Sequence, residues 1–473
     1  MPLPILSVAQ MREWESATWA TGRTEAEVIQ RVGLAVASRA LQLTRAGELI
    51  LLLAGKGHNG DDARAALPHL TARDVQCLNV ADPAAQLSEL QSALARRPAL
   101  IVDALFGIGL NRPLDAAWQR FIGELNVAQL RVLSVDVPSG LNADTGETFG
   151  AGVTAEITLT LGAPKQGLLR STAWNSVGRL EVADDIGLIP CPVTQGELIW
   201  THAPDFKSFP PVRPVAAHKG DFGHLAIVAG SLGYHGAAVL AARAAQRAHA
   251  GLVTLHTLGD VYHAVAAQLQ GAMVRLWSAE TQLKIPHSAA LIGPGLGAPE
   301  AAEEFSLATR KLWRDQTTPV IVDASALDWL PLDPVPKGAI RVITPHPGEA
   351  ARLIKSSVAQ VQADRPRAVR EISHRLGDCW VVLKGHQTLI GRSTGEISVN
   401  SSGNPLLAQG GSGDVLAGYI AGLLAQPAGQ RDVARTLRYA VWQHGAAADW
   451  LTAQRPNWIV DELPDALGLV PSE

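Results

Sequence analysis

Acids stand at the ends of apolar runs along this chain. In the first half, Val102-Asp103-Ala104-Leu105-Phe106-Gly107 and Val135-Asp136-Val137-Pro138-Ser139-Gly140-Leu141-Asn142 each close such a run, and Gly55-Lys56-Gly57-His58-Asn59-Gly60-Asp61-Asp62-Ala63 follows another. In an open parallel sheet a ligand lies outside the carboxyl ends of the strands, so Asn59, Asp103, Asp136 and Ser139 can converge on one crevice. An acid at a strand end also serves as a helix N-cap, the simpler reading for any one of them; three together favour a site. A positioned, partly desolvated carboxylate can exchange a proton with a substrate. The glycines from Gly55 to Gly60 let backbone N–H groups approach an anion where a helix begins, or simply make a tight turn. Asp61 beside Asp62 argues against a plain phosphate cradle, because two carboxylates repel an anion unless a cation intervenes.

In the second half, Gln409-Gly410-Gly411-Ser412-Gly413-Asp414 leads into Val415 to Leu424, an apolar stretch with helical spacing. Small residues at a helix start expose unpaired N–H donors as an anion hole, and Asp414 there can take a proton from a substrate hydroxyl or cap the helix. Polar clusters end other strands: His218 to His224, Gly230 to Ala238, Gly293 to Gly297, Thr344 to Glu349 and Lys384 to Thr388. Lys219 reads as a solvated lysine in a glycine-rich turn, and Tyr234 with His235 as part of a lid.

The elements that must position these groups are short, β-branched runs followed by alanine-rich helical stretches. They are Leu49 to Ala54, Leu100 to Leu105, Val132 to Val137 and Ile157 to Leu161, then Leu225 to Ala229, Gly251 to Leu258, Ala289 to Ile292, Pro319 to Val322, Arg341 to Ile343 and Trp380 to Leu383. Continuous rather than alternating apolar strands predict parallel sheets covered on both faces, an α/β class. Gln10 to Ala40 reads as a helical lead-in, and a helix is expected over Arg64 to Leu70. A chain of 473 residues is enough for roughly two or three domains. The proline-rich segment Gly187 to Pro214 separates the two strand-helix series, so domains are expected at 1–205 and 206–473. Forty Lys plus Arg against 44 Asp plus Glu leaves no basic excess for a run of phosphates, which argues against nucleic acid as partner. No apolar run reaches the length of a membrane span, no export signal is visible, and Cys77, Cys191 and Cys379 are expected as buried core residues of a cytoplasmic protein. Parallel sheets with apolar helices serve monomers and homo-oligomers equally well.

The order GxGxNG, VDALFG, SVDVPSGLNADTG and LGAPKQGLL, over residues 1–205, resembles the NAD(P)H-hydrate epimerase family. The resemblance implies a Rossmann-like αβα sandwich that interconverts the R and S forms of hydrated NADH and NADPH. By motif, Asn59, Asp103 and Ser139 correspond to potassium ligands and Asp136 to the acid/base residue. His58, Asn59, Gly60, Asp61, Asp62, Gly107, Ile108, Gly109, Leu110, Asn111, Arg112 and Pro113 correspond to the dinucleotide site. The family's first loop reads GxGNNGGDG; here His58, Asp61 and Ala63 replace an Asn and two Gly. The added charge of Asp61 is expected to face the dinucleotide, on a backbone where aspartate tolerates a left-handed conformation.

Over residues 206–473, HKGDFGH, TPHPGE and KG followed by GGSGD resemble the ADP- or ATP-dependent NAD(P)H-hydrate dehydratases, within the ribokinase-like superfamily. The resemblance implies that a nucleotide phosphorylates the hydroxyl of the S hydrate, after which phosphate leaves and the ring is restored. That chemistry needs a base, a phosphoryl cradle and Mg2+. Asp414 fits the base. Lys384, Gly385, His386, Gln387, Thr388 and Gly413 match nucleotide positions; Gly236, Ala237, Gly297 and His346 match hydrate positions; Glu349 can organise magnesium through water. Likeness to the bacterial fused proteins favours ADP. The competing readings are a ribokinase-like small-molecule or vitamin kinase, and an active dehydratase carrying a non-catalytic amino-terminal binding domain.

Overall fold

The computed structural model describes all residues except 1, 195, 278–285, 298–301, 333–334, 337 and 473. The chain divides into two compact units, Leu3–Gly196 and Glu197–Glu473.

In the first unit a short strand β1 (Leu3–Pro4) precedes the helices Val8–Trp19 and Glu25–Leu43, which start at the capping boxes of Ser7 and Thr24. The sheet follows, with β2 (Leu49–Ala54), β3 (Asp74–Asn79), β4 (Leu100–Ala104), β5 (Val132–Val135), β6 (Ile157–Leu161) and β7 (Arg179–Ala183). Their order is β3-β2-β4-β5-β6-β7 and every pair is parallel. The β2 run is apolar at every position because both its faces are covered. Ile50 and Leu52 pack with Val32 and Val36 on one side, while Leu51 and Leu53 pack with Phe121 and Ile122 on the other. Strand order reverses between β2 and β4, which opens a crevice outside their carboxyl ends.

Two departures from the sequence expectation bear on the site. The strand expected over Val132 to Val137 stops at Val135, because Asp136 takes φ +64°, in the left-handed region. The helix expected from Arg64 begins at His58, capped by Gly57, so His58 to Asp62 form its first turns. Asp61 is therefore helical and needs no left-handed backbone. The edge strands β3 and β7 were not expected; their mixed polar sequences suit edges open to solvent.

The second unit carries β8 (Leu198–Trp200), β9 (His224–Val228), β10 (Leu252–Thr257), β11 (Met273–Leu276), β12 (Ala289–Ile292), β13 (Val320–Val322), β14 (Arg341–Ile343), β15 (Trp380–Leu383), β16 (Leu389–Gly391) and β17 (Ile397–Val399). They run in the order β8-β17-β16-β15-β14-β13-β12-β9-β10-β11, parallel except where β16 lies antiparallel to β15 and β17. The helix Ser412–Leu424 packs against His235–Arg247 so closely that a Cβ on Gly418 would lie 2.1 Å from the Ala241 carbonyl oxygen. Among the described residues no helix is long and apolar enough to cross a membrane. Cys379 is buried as expected, but Cys77 and Cys191 are only half-buried, and all three are free thiols.

Candidate functional site

A cavity of about 1170 Å³ opens at the carboxyl ends of β2 and β4. His58, Asn59 and Asp62 reach it from the helix His58–Ala66, Gly107 to Pro113 from the loop after β4, and Asp136 from the end of β5. Gly60 and Asp61 lie off the lining. Gly60 packs on the preceding turn, where a Cβ would meet the Gly55 carbonyl oxygen at 2.0 Å. Asp61 turns outward and pairs with Arg64 at 2.7 Å.

Beneath the cavity floor lies a polar knot. Asp103 is fully buried; its Oδ2 accepts from Ser134 Oγ at 2.8 Å and the Ser139 N–H at 2.9 Å, its Oδ1 from Ser139 Oγ at 2.6 Å. Burial raises its pKa, and the Ser139 donors oppose that rise. The Phe106 N–H donates to Ser139 Oγ at 2.9 Å, while Asn59 Nδ2 donates to the Phe106 and Val135 carbonyls at 3.0 and 3.2 Å. Asn59, Asp103 and Ser139 thus meet around Phe106. Asn59 Oδ1 is buried with no hydrogen-bond partner among the described residues.

Asp136 divides its carboxylate. Oδ1 accepts from Lys165 Nζ at 2.5 Å, the Leu161 N–H at 3.2 Å and Thr160 Oγ1 at 3.3 Å. Oδ2 lies beside Gly107, 3.6 Å from where a Cβ there would sit, and Asp136 lines the cavity. Lys165 is buried and also donates to the Leu161 carbonyl at 2.8 Å. Burial, followed by Asp136 and Asp61, pushes the Asp62 carboxyl up to about 8. At neutral pH it is therefore uncharged and a hydrogen-bond donor rather than a second repelling charge. His58 pairs with Glu25 at the rim.

In the second unit, β9, β12, β13, β14 and β15 end at one sheet edge, and the helix Ser412–Leu424 begins there. Gly411, at φ +97°, supplies the left-handed cap that turns Ser412, Gly413 and Asp414 into its first turn. Lys384, just past β15, is ion-paired with buried Asp323, just past β13, at 2.8 Å. A Cβ on Gly413 would lie 3.2 Å from Lys384 Nζ. Burial pulls the Lys384 ammonium down, but Asp323, Glu349 and Asp414 outweigh it and hold it above the usual lysine range. Burial, then Asp323, push Asp414 up to about 7, with Lys384 opposing and Glu349 adding. His444 lies buried nearby, its Nε2 3.0 Å from the Ser412 carbonyl oxygen.

The loop Gly293 to Gly297 bridges to the hydrate positions. A Cβ on Gly293 would strike the Asp323 carbonyl oxygen at 1.8 Å, one on Gly295 would meet Ala237 Cβ at 3.0 Å, and one on Gly297 would lie 3.3 Å from the Tyr234 ring. Gly236 stands exposed beside Ala237 in the first turn of its helix. His346 caps the helix Pro347–Ile354, accepting from the Gly348 and Glu349 N–H groups at 3.0 and 3.3 Å, while its own N–H donates to Glu349 at 2.7 Å. Arg365 holds the segment from Lys384 to Thr388, donating to the carbonyls of Leu383 at 3.1 Å, Gln387 at 3.2 Å and His386. Thr388 Oγ1 closes the turn onto the Gly385 carbonyl at 3.0 Å.

Sequence reasoning passed over Lys165, Asp323 and Glu15. Lys165 is the single cation of the quoted LGAPKQGLL run; Asp323 ends an apolar run as Asp103 does; Glu15 shares a helical face with Met11.

Residues 25–167 match the family described as YjeF-related protein N-terminus, and residues 225–467 the family described as NAD(P)H-hydrate dehydratase. The bifunctional NAD(P)H-hydrate repair enzyme of Coxiella burnetii is 35% identical over 465 residues, covering 93% of each chain. That of Gloeobacter violaceus is 34% identical over 510 residues, covering 99% of this chain and 97% of its own. The crystal structure of a ribokinase-like superfamily protein from Enterococcus faecalis matches with a TM-score of 0.50 at 26% identity, over 58% of this chain and 95% of that one. With relatives this similar over nearly their whole length, the chain belongs to the family of bifunctional NAD(P)H-hydrate repair enzymes.

Proposed function

We propose that the chain repairs hydrated NADH and NADPH through two sites in series: residues 1–205 epimerise the R and S hydrates, and residues 206–473 dehydrate the S form at the expense of ADP or ATP. The observation that carries this reading is a pair of carboxylates, one in each unit, each beside a lysine: Asp136 beside the buried Lys165, and Asp414 beside the half-buried Lys384 and its partner Asp323. In the first unit Lys165, Thr160 and Leu161 fix Oδ1 and leave Oδ2 to move a proton at the epimerising carbon. The cavity accommodates a dinucleotide in volume, and Asp62, uncharged at neutral pH, adds a donor instead of a repulsion.

Asn59, Asp103 and Ser139 fit a potassium ion, since Asn59 Oδ1 is buried without a hydrogen-bond partner among the described residues and side-chain oxygens suit a hard cation. When bound, that ion supplies fixed positive charge beside an anionic ligand. In the second unit Asp414 takes the proton of the S-hydrate hydroxyl while the N–H groups around Ser412 and Gly413 cradle the transferring phosphoryl oxygens. Lys384 to Thr388 with Gly413 hold the nucleotide, and Gly236, Ala237, Gly297 and His346 the hydrate. Glu349 would hold Mg2+ through water, which supplies neutralisation of the phosphate charge. ADP is the expected donor and the cytoplasm the expected compartment.

The test is a coupled assay following NADH absorbance from S hydrate and from R hydrate, with ADP or ATP, in potassium or sodium buffer. Asp414→Asn should abolish NADH formation from both hydrates, whereas Asp136→Asn should spare the S hydrate and reduce R-hydrate turnover to the spontaneous epimerisation rate. Wild-type dehydration by Asp414→Asn, or phosphorylated product that accumulates without NADH, sinks the reading.

A further inference from the structure

The helix Val8–Trp19 lies ahead of the stretch that matches the amino-terminal family, residues 25–167, yet it forms a wall of the cavity. Met11, Arg12, Glu15 and Trp19 all line that cavity. Steps of four residues place Met11, Glu15 and Trp19 on one helical face. That face is held in register with Lys165. Just before the helix, the Leu6 N–H donates to the Pro164 carbonyl and the Gln166 N–H to the Leu6 carbonyl, both at 2.9 Å. Along the helix, Met11 Cε and Trp14 Cζ3 both lie 3.2 Å from where a Gly162 Cβ would sit, and Trp14 Nε1 donates to the Ile189 carbonyl at 2.8 Å. The same short segment, Gly162 to Gln166, thus anchors the helix and carries the lysine that holds Asp136.

Glu15 accepts no hydrogen bond among the described residues, and its charged neighbours are Asp136, Lys165, His58 and Arg12. Burial and then Asp136 raise its pKa, while Lys165, His58 and Arg12 oppose. Asp136, by contrast, is ion-paired and triply hydrogen-bonded. Among the carboxyls that line this cavity, Asp136 is held by Lys165 on the sheet side and Glu15 stands without a hydrogen-bond partner on the helix Val8–Trp19; two carboxyls in such different surroundings are equipped for opposite proton-transfer roles.

We propose that Glu15 is a second acid/base residue of the epimerase, reaching the hydroxyl-bearing carbon from a different wall of the cavity than Asp136. The inference rests on the epimerase reading above. Inverting that carbon breaks its C–O bond, with the electron pair leaving on oxygen, which takes a proton from an acid and departs as water. The ring nitrogen lone pair fills the gap as an iminium. Water then adds to the other face, the new C–O bond returns the pair to nitrogen, and the surplus proton goes to a base. No oxidant or co-reactant is needed. A carboxyl on each of two walls serves the departure and the return.

The test compares full-length wild type, Glu15→Gln and Glu15→Asp for conversion of R to S hydrate, corrected for the spontaneous rate. Dehydration of S hydrate by each protein reports an active second unit, and the calorimetric unfolding transition of Leu3–Gly196 reports that the unit carrying Glu15 is folded. Glu15→Gln keeps the shape and removes the acid, so kcat for epimerisation should fall about 100-fold with KM little changed, the scale of a lost acid/base group. Glu15→Asp keeps the acid on a shorter arm and should recover at least about tenfold of that loss. A packing role predicts the reverse order, Gln tolerated better than Asp. Wild-type epimerisation by Glu15→Gln, or Asp no better than Gln, overturns the proposal while leaving the epimerase reading intact. Wild type that dehydrates the S hydrate but fails to hasten R-to-S conversion overturns both.

Discussion

Lys165→Met would remove the one cation buried against Asp136 and keep a side chain of similar length. Lys165 makes a 2.5 Å ion pair and bonds of 2.8 and 3.1 Å to the Leu161 carbonyl and Thr160 Oγ1, all of them out of solvent. Breaking a buried pair by removing one partner costs about 3–5 kcal/mol, because the other charge stays buried without compensation. For a unit the length of Leu3–Gly196, each kcal/mol corresponds to about 2–4 °C in midpoint. The unfolding transition of that unit should therefore fall by about 6–20 °C. Scanning calorimetry of the full chain measures it, and R-hydrate turnover in the same samples should fall as Oδ1 loses its anchor. The companion double variant, Lys165→Met with Asp136→Asn, removes the stranded charge and should regain more than half of the lost midpoint while staying inactive in epimerisation. A midpoint within about 2 °C of wild type for the single variant, or no recovery in the double, would refute the view that this pair is a buried, charge-compensated unit.

Three further outcomes follow from the second unit. Asp414 must be ionised to act as base and its carboxyl sits at about 7, so dehydration kcat should climb as pH rises through about 7; a flat profile between pH 6 and 8, with chemistry limiting, would contradict the assignment. Arg365→Met leaves the carbonyls of Leu383, His386 and Gln387 without their donor and should raise KM for the nucleotide about tenfold or more, at one lost charged hydrogen bond's worth, with a smaller change in KM for the S hydrate. His444, buried and lowered to about 4 from an ordinary value near 6.5, favours the neutral ring when folded. Its stabilisation is present above about 6.5 and lost as pH falls toward 4, so His444→Gln should flatten the acid side of the midpoint-versus-pH curve; an unchanged slope would exclude the role.

The parallel sheets were legible because strands covered on both faces are apolar nearly throughout, as β2 is at every position and β4 is but for Asp103. Edge strands such as β3 and β7 were not, since one open edge admits the polar residues that disguise a strand as a loop. Site residues that end apolar runs, Asp103, Asp136 and Asn59, could be read from position alone. Lys165 was visible within a quoted motif, but nothing in its spacing said that it folds back onto Asp136 twenty-nine residues earlier. Glu15 looked like one more polar residue of a lead-in helix until Leu6 and Gly162 fixed which face looks inward. The altered first loop illustrates the converse. Substituting Asp61 for a glycine looked like a charge set against the ligand, yet one helical step rotates it out to Arg64 and leaves Asp62 inside.

The positive φ of Asp136 limits which replacements can interrogate the chemistry at that position. Asparagine adopts the same left-handed geometry at least as readily as aspartate, whereas alanine and the β-branched residues resist it. A panel of variants at position 136 will therefore report backbone tolerance and proton transfer together, and only the Asn member separates them. Any survey that ranks this site by alanine scanning would overstate its catalytic share by the conformational cost of a turn that merely happens to carry the carboxylate.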